Sequence, residues 1–305
     1  MTTATQARNQ MERRYLLESM AASGCFGVLA LVWGWASGSR VILFDGVAVL
    51  LGIALSAVSL LAANTAASAP TSRYPFGKQA AAPLVIGFQG AVLLGILTYA
   101  LVEAVLLLTS GGDEVVPWTM LAYGLVSAAL SALVVWRFAG PSAVSDIVAA
   151  EAAAWRAGVG MSLVVAVGGL VGVILAGSRW EAFVPYVDPL LLVILCAAIA
   201  PMALGLLRTS MRELLQAAPP RQLQQAVDAA ATEVGEEFGL GRPNVIASKV
   251  GGRLYADVRY LIDADRDLSV TEEDQVRRAV LRRLESTGLE VWANIEVTTD
   301  PQLAE

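Results

Sequence analysis

An α-helical membrane protein with six spans, followed by a small soluble α+β domain, is the fold class that three observations predict. The chain of 305 residues is 56% hydrophobic and only 16% charged, with a mean hydropathy of +0.61. That mixture is too apolar to close around one core and keep a solvated surface. Six apolar runs reach the length, about 20 residues, at which a helix crosses a hydrocarbon layer. Beyond Arg208 the composition changes abruptly: residues 211–305 hold 17 Asp/Glu against 11 Lys/Arg, which accounts for the whole net charge of −6, and the 10 acids and 10 bases upstream cancel.

The runs cover residues 16–37, 41–63, 83–110, 116–135, 153–177 and 185–207. Helices are required there because lipid offers no partner to an unpaired backbone group. The polar segment 1–14 reads as a cytoplasmic tail and 15–210 as the membrane domain. The first run is too long for the apolar core of a signal peptide and lacks a clear small-residue cleavage site, so it is expected to be retained as a span. Charge sets the orientation. With the N-terminus inside, Arg8, Arg13, Arg14, Arg73, Lys78, Arg137, Arg156, Arg208 and Arg212 fall on or near the cytoplasmic side, against Arg40 and Arg179 outside, as the positive-inside rule selects. The expectation is a multi-pass protein of the cell membrane, surrounded by lipid, with both termini cytoplasmic. Cys25 and Cys196 lie within apolar runs and read as small hydrophobes, not as a disulfide framework.

Residues 211–305 read as a separate domain. Pro219-Pro220 mark the start of a helix that carries Leu223, Val227, Ala230 and Ala231 on one stripe. The stretch "NVIASKVGGRLYADVRYLID" alternates on either side of Gly251-Gly252, the pattern of two strands joined by a tight turn. Ser269 precedes Glu272 by three residues, a capping box, and opens a second helix with Val276, Val280, Leu281 and Leu284 as its apolar face. "LEVWANIEV" closes as a third strand. The order helix, strand, strand, helix, strand predicts a small layer with its helices on one face.

Several short motifs stand in order along this frame. They are "SGS" (37–39) before Asp45, "RYPFG" (73–77), "AEA" (150–152) followed by Trp155 and Arg156, and "DLSVTEE" (267–273). In this order, over about residues 14–301, the chain resembles the cation diffusion facilitator family. The resemblance implies a homodimer that exports a divalent metal, usually zinc, manganese, iron, cobalt or nickel, in exchange for protons. It also implies a metallochaperone-like C-terminal domain that forms much of the dimer contact.

The family's transport site is two pairs of side chains, each spaced by four residues on facing helices. Positions i and i+4 share one helix face, so two helices can offer four ligands to a tetrahedral ion. On this chain the four positions are Asp45, Val49, Ala154 and Gly158, and only Asp45 retains a ligand. The family's loop ligand falls on Lys78, which cannot coordinate while protonated, and its acid on Ala82. In the tail the expected histidines are Asp274 and Thr298, while Asp300 matches an acidic position, and the chain holds no histidine at all.

Glu151 lies on the stripe of Ala154 and Gly158 and is the best candidate to supplement Asp45. With the two helices running in opposite directions, it is expected about 10 Å nearer the cytoplasm than Asp45, at 1.5 Å per residue, so the two would act as successive stations. Simpler roles are, for Asp45 near the outer end of its span, snorkelling to the interface or an ion pair with Arg40, and for Glu151 a pair with Arg156 or a surface position near Asp146. Glu103 in the third run reads as structural or interfacial.

Two functions follow. One is a transporter that moves a weakly bound, partly hydrated divalent cation with Asp45 as charged anchor and as the group able to exchange a proton. The other is a non-transporting scaffold or regulatory relative that pairs with itself or with an active paralogous transporter. An enzyme is disfavoured, because the sequence offers no nucleophile with its base, no phosphate-cradling loop and no metal-binding motif. Nucleic acid is not an expected partner of a membrane chain whose soluble domain carries −6.

Overall fold

The computed structural model describes residues 3–66, 68–139, 146–266 and 268–304. Outside them lies Asp267 of the "DLSVTEE" motif, and the side chains of Arg8, Arg13, Asp146 and Ala150 are likewise not described. In the membrane domain the helices are α1 (Thr3–Ser37), α2 (Arg40–Ala66), α3 (Ala81–Ser110), α4 (Pro117–Phe138), α5 (Asp146–Ala176) and α6 (Val187–Leu214). All six contain a window long and apolar enough to span a membrane, and only 17–33% of each window is buried in the protein. The remaining apolar surface requires lipid around it.

The helices outrun the apolar stretches that define them. α1 runs from Thr3, through the polar residues expected to form a separate tail, and α5 begins at Asp146 rather than near 153. The flanks are rich in Ala, Gln, Arg and Glu, strong helix formers that extend a helix once it is nucleated. The break between α1 and α2 is sharp because Gly38 takes φ +75°, a conformation costly for residues with a side chain.

The chain divides into two compact units, Met1–Ala57 with Val92–Met202, and Val58–Ala91 with Ala203–Glu305. In the first, α4 buries Met120, Tyr123, Gly124, Ser127, Ala128 and Ser131, a stripe at helical spacing made largely of small residues. A methyl group added at Gly124 would collide with Ala166 of α5, and one at Gly169 with Leu121 of α4. Such small-residue seams allow the close backbone approach on which membrane helices rely for packing.

In the second unit, α7 (Arg221–Phe238), β1 (Pro243–Val250), β2 (Arg253–Leu261), α8 (Val270–Leu284), β3 (Glu290–Thr298) and the short α9 (Pro301–Ala304) follow in the expected order. The sheet order is β1-β2-β3, with β1 antiparallel to β2 and Ala247 opposite Ala256. β3 is parallel to β2, with Ala293 opposite Ala256. Leu254, Ala256, Val258 and Tyr260 of β2 are buried in one cluster with Val227, Val234, Val276, Val280 and Leu284 of the helices. The Tyr260 hydroxyl satisfies itself by donating to the Ala231 carbonyl at 2.8 Å. The capping box forms as expected, with Ser269 and Glu272 exchanging hydrogen bonds.

The "RYPFG" loop belongs to this second unit and is held by the sheet. Arg253, whose side chain is only 8% exposed, donates to the Phe76 carbonyl at 2.6 Å and to Glu290 at 2.6 Å. Gln79 donates to Glu290 at 3.1 Å, and the Phe76 ring meets Trp292 edge-on with centroids 6.1 Å apart. Near the end of α6, Glu213 accepts from the Lys249 ammonium at 2.8 Å and from the Gly251 amide at 3.0 Å, which fixes the turn between β1 and β2.

Candidate functional site

Within the first unit, a cavity of about 240 Å³ is lined by Asp45 and Val49 of α2 and by Glu151, Ala154 and Gly158 of α5. All four positions of the expected ligand pattern therefore share one cavity, and Glu151 joins them. Ser23 of α1, Ser131 of α4 and Ser162 of α5 add hydroxyl groups to the same wall, while Phe26, Trp155 and Met161 supply its apolar part. The serines carry no pattern that distinguishes them in the sequence from those that bond back to their own helix.

Each carboxylate has a specific protein donor. Asp45 accepts from the Tyr123 hydroxyl at 2.5 Å. Tyr123 is fully buried and held by aromatic contacts to Phe26, at 6.4 Å between centroids, and Trp33, at 5.9 Å. Glu151 accepts from the Ser19 hydroxyl at 2.6 Å, and Ser19 in turn accepts from the Trp155 indole at 2.9 Å. The two ion pairs expected as simpler roles are not formed among the described residues, while a place for Glu151 near the Asp146 side chain lies outside them. Arg40 pairs with Glu103 at 3.3 Å and with Asp113 at 3.6 Å, leaving Asp45 to Tyr123. Glu151 is engaged by Ser19, and among the described residues it forms no ion pair with Arg156. Glu103, expected to be structural or interfacial, is held by the Arg40 guanidinium.

The "SGS" motif also finds its use. Asp188, 2% exposed at the start of α6, accepts from the Ser39 hydroxyl, from the Arg40 amide at 3.0 Å and from the Val41 amide at 3.4 Å. A carboxylate from another helix therefore caps α2, whose first amides have no partner within the helix. The sequence reading missed Asp188 entirely. An acid directly before Pro189 at the opening of an apolar run was the available signal.

Among the described residues, Lys78 and the tail positions hold no metal-like constellation. The Lys78 ammonium lies 5.0 Å from the Tyr74 ring centroid, a cation–π contact. Asp274 pairs with Arg277 at 3.3 Å, the Thr298 hydroxyl accepts from the Asp300 amide at 3.1 Å, and the Asp300 carboxylate accepts from the Gln302 amide at 2.9 Å. No group of three or more Asp, Glu or Cys side chains is poised to hold a metal ion among the described residues.

Residues 16–215 match the family model of the cation efflux transmembrane domain. The chain belongs to this family, the cation diffusion facilitators. A comparison with curated proteins finds no match to the chain. Cation diffusion facilitators are membrane transporters and not enzymes, and the six spans make this member a multi-pass membrane protein.

The donors of this member's cavity are oxygen atoms: two carboxylates and three hydroxyls, with the Met161 thioether the one soft atom. Zinc sites are built from histidine and cysteine, usually with four ligands in tetrahedral array. Oxygen sets suit hard cations such as magnesium and manganese.

Proposed function

We propose that this cation diffusion facilitator transports a hard divalent cation, bound loosely and with part of its water shell, and that Asp45 is its charged anchor. The observation that carries the reading is the shared cavity of Asp45, Glu151, Ala154 and Gly158. Its volume of about 240 Å³ equals some eight water molecules at about 30 Å³ each, enough for an ion with most of its first hydration shell. Loss of three family ligands then changes the chemistry of binding without removing it: waters stand where protein ligands would, and affinity falls. Asp45 and Glu151 are the acids of the pathway and the groups on which exchange of a proton for the ion depends. Reconstitution in vesicles with a pH gradient, screening Mg²⁺, Mn²⁺, Co²⁺ and Zn²⁺, tests this reading. Flux of Mg²⁺ or Mn²⁺ with weak Zn²⁺ binding is expected, and no flux of any ion by a folded protein refutes it.

We further infer a homodimer, joined through the C-terminal domain, with both termini on the cytoplasmic side. The exposed Ile246 and Trp292 of the sheet offer apolar surface for the contact. Orientation is tested in a background lacking Cys25 and Cys196: a cysteine at Asp113 should label from outside and one at Ser72 only from within, and the reverse would refute it. A second reading, a non-transporting scaffold pairing with itself or with a transporting paralogue, is favoured by one observation. Both carboxylates already hold protein donors, so neither needs an ion to be satisfied.

A further inference from the structure

The last turn of α6 carries a feature that cation transport does not use. Arg208 and Arg212 are exposed one turn apart on the helix, and among the described residues neither is in an ion pair. They line, with Lys249 of β1, a cavity of about 340 Å³. The wall opposite is formed by the chain after α6. Gln216 takes φ +53°, and the Ala217 amide donates back to the Arg212 carbonyl at 2.9 Å. This turn brings Ala217, Pro219 and Pro220 around the same cavity. Holding a non-glycine residue left-handed costs about 1 kcal/mol or more, and the two prolines stiffen the segment that follows.

Glu213 is the one acid on this wall, and it does not neutralise the arginines. One of its oxygens takes the Lys249 ammonium and the other the Gly251 amide. Three cations against one carboxylate leave an excess positive charge facing the cavity. The guanidinium fork matches phosphate oxygens in pairs.

The setting identifies how phosphate would arrive. α6 is a spanning helix that ends at Leu214, and a polar domain follows, so Arg208 and Arg212 lie where the bilayer meets water. Leu204, Met211 and Leu215 are exposed, and at 3.6 residues per turn they form a stripe beside the two arginines. Apolar surface next to unpaired cations at this depth suits a molecule with acyl chains and an anionic head. Basic pockets of this kind at the ends of membrane helices take phospholipid head groups.

We propose that Arg208, Arg212 and Lys249 form a binding site for the phosphate of an anionic phospholipid, whose acyl chains lie along Leu204, Met211 and Leu215. Because Lys249 lies in β1 just before the turn that Glu213 also clamps, a bound lipid would tie the end of α6 to the sheet of the C-terminal domain. The lipid would thereby act as a ligand of that junction, apart from the transported ion.

The test is native mass spectrometry of the purified full-length protein, titrated with phosphatidylglycerol or with phosphatidylcholine. Phosphatidylglycerol should be retained preferentially. Each cation near the head group contributes about fivefold, so Arg208→Gln with Arg212→Gln should weaken retention by about 30-fold and Arg212→Gln alone by about fivefold. Arg208→Lys with Arg212→Lys should keep most of the preference, and Arg179→Gln, in the segment between α5 and α6, should leave it unchanged. No preference for phosphatidylglycerol, or equal loss in Arg179→Gln, overturns the site. Millimolar inorganic phosphate that displaces the lipid and binds equally well without it overturns the lipid assignment and leaves a soluble phosphate site. If the double glutamine variant does not fold, Arg212→Gln and the lysine pair decide the matter.

Discussion

Asp45→Asn separates the charge of the cavity from its shape. Asparagine keeps an oxygen for the Tyr123 hydroxyl, now 2.5 Å from the carboxylate, and occupies the same volume. The structural cost is the difference between a charge-assisted and a neutral hydrogen bond, about 1 kcal/mol. The electrostatic loss is larger. A divalent ion one water removed, at ~5 Å, gains about 6–7 kcal/mol from a carboxylate at an effective dielectric of ~20. If only a third survives the cost of stripping water from the ion, about 2 kcal/mol remains, equivalent to roughly 30-fold in binding. Flux in vesicles, measured with a fluorescent Mn²⁺ or Mg²⁺ indicator below saturation, should therefore fall by about 30-fold or more, while the thermal midpoint in detergent moves by a few degrees. Flux within about threefold of the unaltered protein, with the fold intact, would refute the anchoring role of Asp45. Glu151→Gln run alongside distinguishes a single anchor, in which flux largely survives, from two stations, in which it falls as well.

Three further outcomes concern what holds the frame. Asp188→Ala strips the cap from α2 and leaves the Ser39 hydroxyl and two amides to find other partners, so a loss of about 2–3 kcal/mol is expected, read as a lowered thermal midpoint, and a loss under about 0.5 kcal/mol would contradict the capping role. Arg253→Ala removes a nearly buried donor from the Phe76 carbonyl and should cost about 2 kcal/mol, with faster proteolysis within 73–77; unchanged cleavage would show that the loop is held by other contacts. The third is a pH dependence: the Ser269 amide and hydroxyl hold the Glu272 carboxyl below its ordinary 4.5, so its contribution to α8 is complete above that value and is lost as pH falls through the depressed one. Amide exchange in the first turn of α8 should rise with acid over that range, and Glu272→Gln should remove that part of the rise.

Elements were legible in the sequence where local chemistry decides them. The six spans follow from length and apolarity, the turn between β1 and β2 from Gly251-Gly252, and the start of α8 from Ser269 and Glu272, whose partners lie three residues apart. The parallel pairing of β3 with β2 was not legible, because alternation marks a strand without naming its neighbour. The site shows the same divide. Spacing by three, four and seven residues placed Glu151, Ala154 and Gly158 on one face, and they do line one cavity. The donors to the carboxylates were not legible, since Tyr123 and Ser19 lie 78 and 132 residues from the acids they serve. Helical periodicity specifies a face and leaves the facing residue open.

On the proposed transport reading, those donors would also limit the kind of ion this cavity serves. A cation entering it competes with the Tyr123 hydroxyl for Asp45 and with the Ser19 hydroxyl for Glu151, and hydrogen bonds to charged groups are each worth about 1.5–3 kcal/mol. Exchange of one for the other lowers affinity by that amount wherever the ion needs the same lone pair. A tetrahedral zinc site offsets such losses with several strong nitrogen or sulfur bonds, which this cavity does not supply. A hard ion that keeps most of its waters needs fewer direct bonds, since magnesium gives up its hydration shell reluctantly in any protein. Weak binding is compatible with transport when the ion is abundant, because occupancy then depends on concentration and release is fast. On that proposed reading, the same two hydroxyls that make the carboxylates stable without an ion would favour a low-affinity, hard-cation pathway over a tight site for a scarce metal.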